Sequence, residues 1–487
     1  MATRNLAEHV KVGLSAAAVV ASFAGYALAR LRARAAKDEG ARAFLEETPV
    51  LTLGRLRLNA RQAFFGALVL FALFGTLNYN QFTSRVALRS YDNYDLLHYY
   101  LSAKYFDEIG YFDLLPALIA ADQERGEFCP GRVTRYLAQD ENDYHFESRR
   151  HALRRAPEVK ESFTPERWDE FVEDSIYIQR VNTTMNCRLW RMLLQDHGFN
   201  GTPTWAMIAH PIASAIPVEH IKLATWLDFV WLLAMLLAIW WAFDRETFAF
   251  AWIFILVSYS FRWPIITWAF LRYDWLASMV IGVCLIKKEK HWAAGFFFGY
   301  ATLMRYFPAL WLFGIFAKGV HALVVHNQIP LTRFWRRVPA AYWKMAGAFF
   351  ATVIVLGGLA AARYGAEAHA QSLHNISAHI EPHNLSSRRE GLVIALVYRG
   401  ETEQKLISDE KKEMVAKIEP IVHLVVFLLL IPLGLFMSRA RDWEVVGLGV
   451  IPYFWLTTSS YYYYVLRLTA VTIHAADLNK PRNVAAL

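Results

Sequence analysis

The chain predicts an all-α, polytopic membrane protein with a large helical first loop outside the bilayer. Three observations carry this reading. Of 487 residues, 55% are hydrophobic and only 19% are charged, against about 25% charged in a soluble domain. Apolar runs recur along the chain at 12–29, 62–79, 222–243, 247–261, 273–286, 292–317, 340–361, 419–437, 443–458 and 462–476. With about 20 apolar residues per span, and one run that must fold back on itself, these predict about ten or eleven membrane helices. Basic residues cluster between the runs, which is the positive-inside pattern. The net charge of +8 follows from those clusters and does not point to a nucleic-acid surface. The counts of 17 Trp, 23 Tyr and 33 Phe suit rings that anchor at the lipid–water boundary.

Residues 1–61 read as an N-terminal anchor helix followed by a basic cytoplasmic loop. The first run ends Ala27-Leu28-Ala29, which resembles a signal-peptide cleavage site. Arg30, Arg32, Arg34 and Lys37 follow at once and resist translocation, so the helix is read as retained. With Arg42, Arg55, Arg57 and Arg61 they place 30–61 in the cytoplasm. Residues 62–476 form the membrane domain, with external loops at 80–221 and 362–418, and 477–487 is a cytoplasmic tail. Asp244-Arg245-Glu246 makes an inner turn, and "FRWP" at 261–264 an outer one.

The run 291–318 is informative. Lys287, Lys288 and Lys290 precede it, and Lys318, Arg333, Arg336 and Arg337 follow it. Both ends are therefore cytoplasmic, and the run must be a hairpin of two short helices. Its breakpoint is "RYFP", Arg305 to Pro308, because proline does not continue a helix cleanly. An arginine at membrane depth needs a partner or a polar cavity.

The loop 80–221 is too long for a connector and should form a structure of its own. Helical apolar periodicity runs over 93–109, and 165–195 mixes Trp168, Phe171, Trp190 and Leu193 with charge. "DHGFNGTPTW", 196–205, is turn chemistry. The next stretch, "AMIAHPIASAIP", is too short to span and reads as interfacial or re-entrant. Cys129 and Cys187 share this loop. They pair if it faces an oxidising compartment, and are otherwise two unrelated thiols. Cys284 lies in an apolar run and reads as core. The spacings contain no zinc motif.

The predicted outer face collects Asp92, Asp95, His98, Arg272, Asp274, Arg305, His374, His379, His383, Arg388, Arg389 and Tyr461 to Tyr464. A carboxylate can serve as general base, and arginines can bind a phosphate or diphosphate bidentately. Aromatic rings can stack on sugars or line a groove for an isoprenoid tail. Asp95 and Tyr99, four residues apart, share one helical face. Each residue also has a plainer reading. Asp92, Asn93 and Asp95 suit a helix N-terminus. Arg272 with Asp274 suits an interfacial ion pair, and Arg388-Arg389 suits lipid head groups. The four tyrosines suit an interfacial belt, with cavity lining as the alternative.

Three stretches resemble the GT-C class of integral-membrane glycosyltransferases, which use polyprenyl-phosphate-linked sugars. They are "DLLHYYLSAKYFDEIG" with Asp95, Tyr99, Ala103 and Gly110; "WAFLRYDWL" at 268–276; and "KKEKHWAAGFFFGYATLMRYFPALWLFG" at 287–314. The resemblance implies a GT-C-like bundle and transfer of a hexosyl or pentosyl group, with the site on the non-cytoplasmic face. A bacterial inner membrane with that face in the periplasm fits, as does a role in the cell envelope. It further implies Asp95 as the base, with Asp92 as a second catalytic acid. Arg305, with Arg272 or Arg388, would hold the donor phosphate, and His379 and Tyr99 would contact substrate. The expected ligands are membrane lipid and a polyprenyl-phosphate sugar. A divalent cation held by Asp92, Asp95 and His98 is a lesser reading, since D-x-x-D alone is weak.

The chain departs from that class in its extra N-terminal helix and its large first loop. Asp92 is followed by Asn93 rather than by a second acid. These departures fit a rival reading, a non-catalytic GT-C-like subunit that docks partners through loop 80–221. A transporter is disfavoured, because the polar residues gather on one face and no inverted repeat is visible. Asn182, Asn375 and Asn384 each begin an N-x-[ST] triplet, which matters only in a eukaryotic secretory setting.

Overall fold

The computed structural model describes residues 2–139, 143–181, 185–261, 269–386, 388–402, 405 and 407–487, and the chain is nearly all helix. Among these residues, six helices are long and apolar enough to cross a bilayer: Leu6–Ala35, Ala60–Tyr79, Val218–Ala242, Phe307–Val325, Ala340–Tyr364 and Asp409–Met437. Only 17–33% of each apolar window is buried. Leu70, Phe74 and Leu77, Phe350 and Ile354, and Ile421, Leu424, Phe427 and Leu428 all face outward. At about 25 cal/mol per Å² such surfaces are costly in water; against acyl chains they are not.

The remaining expected spans are shorter or broken. Arg245–Val257 has 13 residues, and Asp274–Lys287 and His291–Met304 have 14 each. At 1.5 Å per residue a 14-residue helix reaches about 21 Å, short of the roughly 30 Å of hydrocarbon. The run 443–458 divides into Asp442–Gly447 and Val450–Leu456. The run 462–476 divides into a 3₁₀ turn, Tyr461–Leu466, and a helix, Arg467–Ala475. Apolar runs of this kind mark burial in protein as well as exposure to lipid. Asp274–Lys287 is buried along nearly its whole length, and protein cover tolerates short or interrupted helices at membrane depth.

The break in 291–318 falls where expected. His291–Met304 ends as Arg305 turns extended, at φ −155° and ψ 91°, and a 3₁₀ turn, Phe307–Leu312, follows. The expected hairpin of two short arms is not what forms, since Phe307–Val325 is itself long enough to span. The two arms also pack differently. The first lies on Asp274–Lys287 and Ala340–Tyr364, and the second on Asp409–Met437. Close approach of the first arm to Ala340–Tyr364 requires glycine. A Cβ on Gly295 would lie 2.2 Å from the Met345 carbonyl oxygen, and one on Gly299 would lie 2.9 Å from that of Phe349. This is small-xxx-small packing between membrane helices.

The first loop is a small helical assembly. Its helices include Asn93–Lys104, Leu114–Glu124, Arg149–Glu161, Pro165–Arg180 and Pro203–Ala215. The helix expected over 93–109 breaks at Tyr105, and that over 165–195 divides into Pro165–Arg180 and Cys187–Leu194. An unexpected hairpin pairs Arg135–Gln139 with Tyr144–Ser148. Cys129 and Cys187 form a disulfide, with Cα atoms 5.6 Å apart. Cys284 is buried and free.

Contacts gather at two ends. At the basic end Arg32 and Arg61 reach Glu246 at 2.9 and 3.4 Å, and Lys318 reaches Asp442 at 2.5 Å. At the loop end Arg363 meets Asp107 and His383 meets Asp143, both at 2.6 Å. Residues read as sharing one side of the bilayer therefore touch one another.

Candidate functional site

The site grows from the start of helix Asn93–Lys104. Asp92 caps it, accepting the N–H groups of Tyr94 at 3.1 Å and Asp95 at 3.4 Å. Asp95 then sits in the first turn, with Tyr99 one turn on and on the same face. Asp95 is 4% exposed. Its Oδ1 accepts a hydrogen bond from Arg272 Nη1, and its Oδ2 is buried with no hydrogen-bond partner among the described residues. Burial pushes the Asp92 carboxyl up to about 7, against the opposing pull of the Arg272 charge and the Tyr94 N–H.

Arg272 is held through its backbone. Leu271 has φ +47°, an uncommon conformation for a bulky residue, and its carbonyl accepts Trp205 Nε1–H at 3.2 Å. Asp228 Oδ1 accepts the N–H groups of Arg272 at 2.7 Å and Tyr273 at 2.9 Å. Partners on both sides thus fix the turn that presents the guanidinium, whose face lies 4.9 Å from the centre of the Tyr462 ring.

Arg305 approaches from the other side. Its Nη1 donates to the Met304 carbonyl at 2.9 Å, and its guanidinium carbon is 5.4 Å from the Tyr99 ring centre. Its Nε is buried without a hydrogen-bond partner among the described residues. The Tyr99 hydroxyl donates to Asn200 Oδ1 at 2.5 Å. Asp274, expected as a partner for one of the arginines, faces the Arg305 charge without bonding it directly; it accepts Trp275 N–H at 2.8 Å and the Tyr300 hydroxyl at 3.0 Å.

Both guanidiniums line one cavity, with Tyr99, Tyr273, Trp275, Tyr462, Tyr463 and Val465. The cavity has a volume of about 20 Å³. That holds a water but not a sugar phosphate, so a larger ligand requires side chains to move. The tyrosine run is therefore no exposed belt. Tyr462 and Tyr463 line the cavity, and Tyr461 and Tyr464 are buried.

The loop 362–418 closes over a neighbouring cluster. Arg389 and Glu390 pair with Ser460 and Ser459 in a short ladder. Arg389 is buried and donates to the carbonyls of Thr458 at 2.9 Å and His379 at 2.6 Å. Arg388, the expected phosphate ligand, is exposed, and its carbonyl receives Tyr461 N–H at 3.0 Å. His379 is not in the cavity wall; its ring meets that of His197 edge-on at 4.4 Å. Burial pushes the imidazoles of His98 and His379 below their usual value, so both are neutral at pH 7. Asp196 accepts the Tyr94 hydroxyl at 2.5 Å. Among the described residues no group of three metal-ligating side chains gathers, and Asp92, Asp95 and His98 do not converge as a cation site. Asn375 is buried, its amide bonded to the Phe199 carbonyl at 2.9 Å. Asn384 donates to Asp143 at 3.0 Å. The triplet at Asn182 lies outside the described residues.

Sequence reading named Asp95, Tyr99, Arg272 and Arg305, and the fold brings them together. It missed Asp228, although an acid within an apolar span was a usable signal. It also missed Asn200 and the buried role of Arg389, which no local pattern announces. Chemically the cavity offers two cations, aromatic walls and one carboxylate at its edge, a set suited to an anion beside a group that loses a proton. No known protein family, curated protein or solved structure matches the chain.

Proposed function

We propose that the chain is a lipid-linked-sugar-dependent glycosyltransferase acting on the non-cytoplasmic face of a membrane. The observation that carries this reading is the placement of Arg272 and Arg305 on one cavity, with Asp95 bonded to the first. Arg272 and Arg305 neutralise the phosphate of a polyprenyl-phosphate sugar, which is the leaving group. Cations gathered on one low-dielectric cavity do this well. Asp95 takes the proton of the acceptor hydroxyl. Tyr462, Tyr463 and Trp275 supply ring faces for sugar or isoprenoid. The basic clusters at the opposite end support an orientation with this end outside the cytoplasm, and the Cys129–Cys187 bridge fits an oxidising compartment such as a bacterial periplasm.

The test is transfer of labelled sugar from polyprenyl-phosphate donors by membranes containing the chain. Asp95→Asn should still fold, with a lowered unfolding temperature because the Arg272 charge is left without its partner, and lose transfer. Undiminished transfer in that variant would remove Asp95 from the chemistry.

One observation favours the second reading, a non-catalytic subunit of a membrane complex. Asp95 is already paired and the cavity is small, so the site as folded has no room for a sugar phosphate. Stoichiometric partners retained through loop 80–221, with no transfer from any donor, would select that reading.

A further inference from the structure

We infer that Arg272 is a shared guanidinium, exchanged between Asp95 and the phosphate of a ligand, so that filling the cavity with a phosphate ester uncovers Asp95. The inference rests on the proposed function for the class of ligand, but it concerns binding and needs no turnover.

Three features lead to it. Arg272 belongs to both places at once, because it bonds Asp95 Oδ1 and lines the cavity. Its backbone is fixed by Asp228 and by the Trp205 bond to Leu271, so only the side chain needs to move. Arg305 waits on the same cavity with Nε buried and unpartnered among the described residues. A phosphate diester such as the proposed donor keeps two non-bridging oxygens, and the monoester that leaves keeps three, enough for both guanidiniums. When Arg272 turns toward it, Asp95 loses its counter-ion and becomes a stronger base. Asp95 is then masked until an anion is bound, which orders ligand before acceptor. Arg272 acts on Asp95 as a positioning residue.

The exchange predicts competition. Asp95 and the phosphate contend for one cation, so removing the Asp95 charge should tighten phosphate binding. The probe is farnesyl phosphate, titrated into the full chain in phosphatidylcholine nanodiscs and followed by tryptophan fluorescence, with Trp275 in the cavity wall. Asp95→Asn should bind it about tenfold tighter or more, the lower end for a close charge pair. Arg272→Gln should bind it more weakly than the parent. The double variant should match Arg272→Gln, because the gain exists only through Arg272. Should Asp95→Asn not fold, Asp95→Ser carries the same expectation. Inorganic phosphate separates the sources: much weaker binding than farnesyl phosphate assigns a lipid head group, and equal binding assigns a free anion, each with the same coupling.

The exchange is overturned if Asp95→Asn binds no tighter, if the gain persists without Arg272, or if farnesyl phosphate binds none of the forms. Loss of the coupling with sugar transfer intact overturns the exchange and leaves the proposed function standing. Coupling without transfer from any donor does the reverse.

Discussion

Asp95 and Arg272, 177 residues apart in sequence, meet as an ion pair at the edge of the cavity, their side chains 4% and 17% exposed. Removing one partner of a buried pair leaves the other charge uncompensated, at a cost of about 3–5 kcal/mol. Asp95→Ala should destabilise by an amount of that order, read as loss of unfolding temperature in detergent. Asp95→Ala with Arg272→Met should recover much of it, because neither charge is then stranded. A double variant as unstable as the sum of the singles would show that the two residues do not interact.

Asp92 should make stability depend on pH. Its folded-state value lies near 7, above the 3.8 of a free carboxyl. The folded state therefore holds this proton more firmly than the unfolded chain does. Stability contributed by Asp92 is present below about pH 4, falls as pH rises, and is lost above about pH 7. Asp92→Asn keeps a good N-cap and removes the titration. It should raise the unfolding temperature at pH 8 relative to the parent and leave it little changed at pH 3. Equal shifts at both pH values would contradict this origin.

The adjacent arginines should behave differently. Arg388 is exposed, and replacing it with alanine should cost no more than about 0.5 kcal/mol. Arg389 ties the carbonyls of Thr458 and His379 together. Arg389→Ala should cost about 3 kcal/mol, since charged hydrogen bonds are worth roughly 1.5–3 kcal/mol each. Thermal unfolding of the two variants side by side checks the contrast.

The bridge between Cys129 and Cys187, 58 residues apart, should contribute about 4 kcal/mol by loop-closure entropy. Cys129→Ser should lower the unfolding temperature, and reductant should do the same to the parent. The bridge also reports on sidedness. Protein taken from intact cells should show only Cys284 reactive after denaturation, and three reactive thiols would place loop 80–221 in a reducing compartment.

Much of this was legible in the chain. Apolar length found five of the six long helices, because lipid contact demands a continuous run; the sixth, Phe307–Val325, was hidden inside a run read as two short arms. The Arg305-to-Pro308 break was legible because proline and a buried cation both interrupt a span. Asp95 and Tyr99 were paired by helical period alone. Tertiary packing hid the rest. Hydropathy cannot separate Asp274–Lys287, buried in protein, from a helix in lipid. Nor could adjacency show that Arg389 turns inward where Arg388 turns out, or that Arg272 would choose Asp95 over Asp274 two residues away. Asp228 acts on backbone N–H groups 44 and 45 residues on, a relation only the fold creates.

The most direct test is a cryo-EM structure of the full chain in a nanodisc with farnesyl phosphate. The account predicts phosphate density between Arg272 and Arg305, within about 3 Å of both guanidiniums, with Asp95 released and facing the opened cavity. Phosphate bound elsewhere, with the Asp95–Arg272 pair intact, would contradict it.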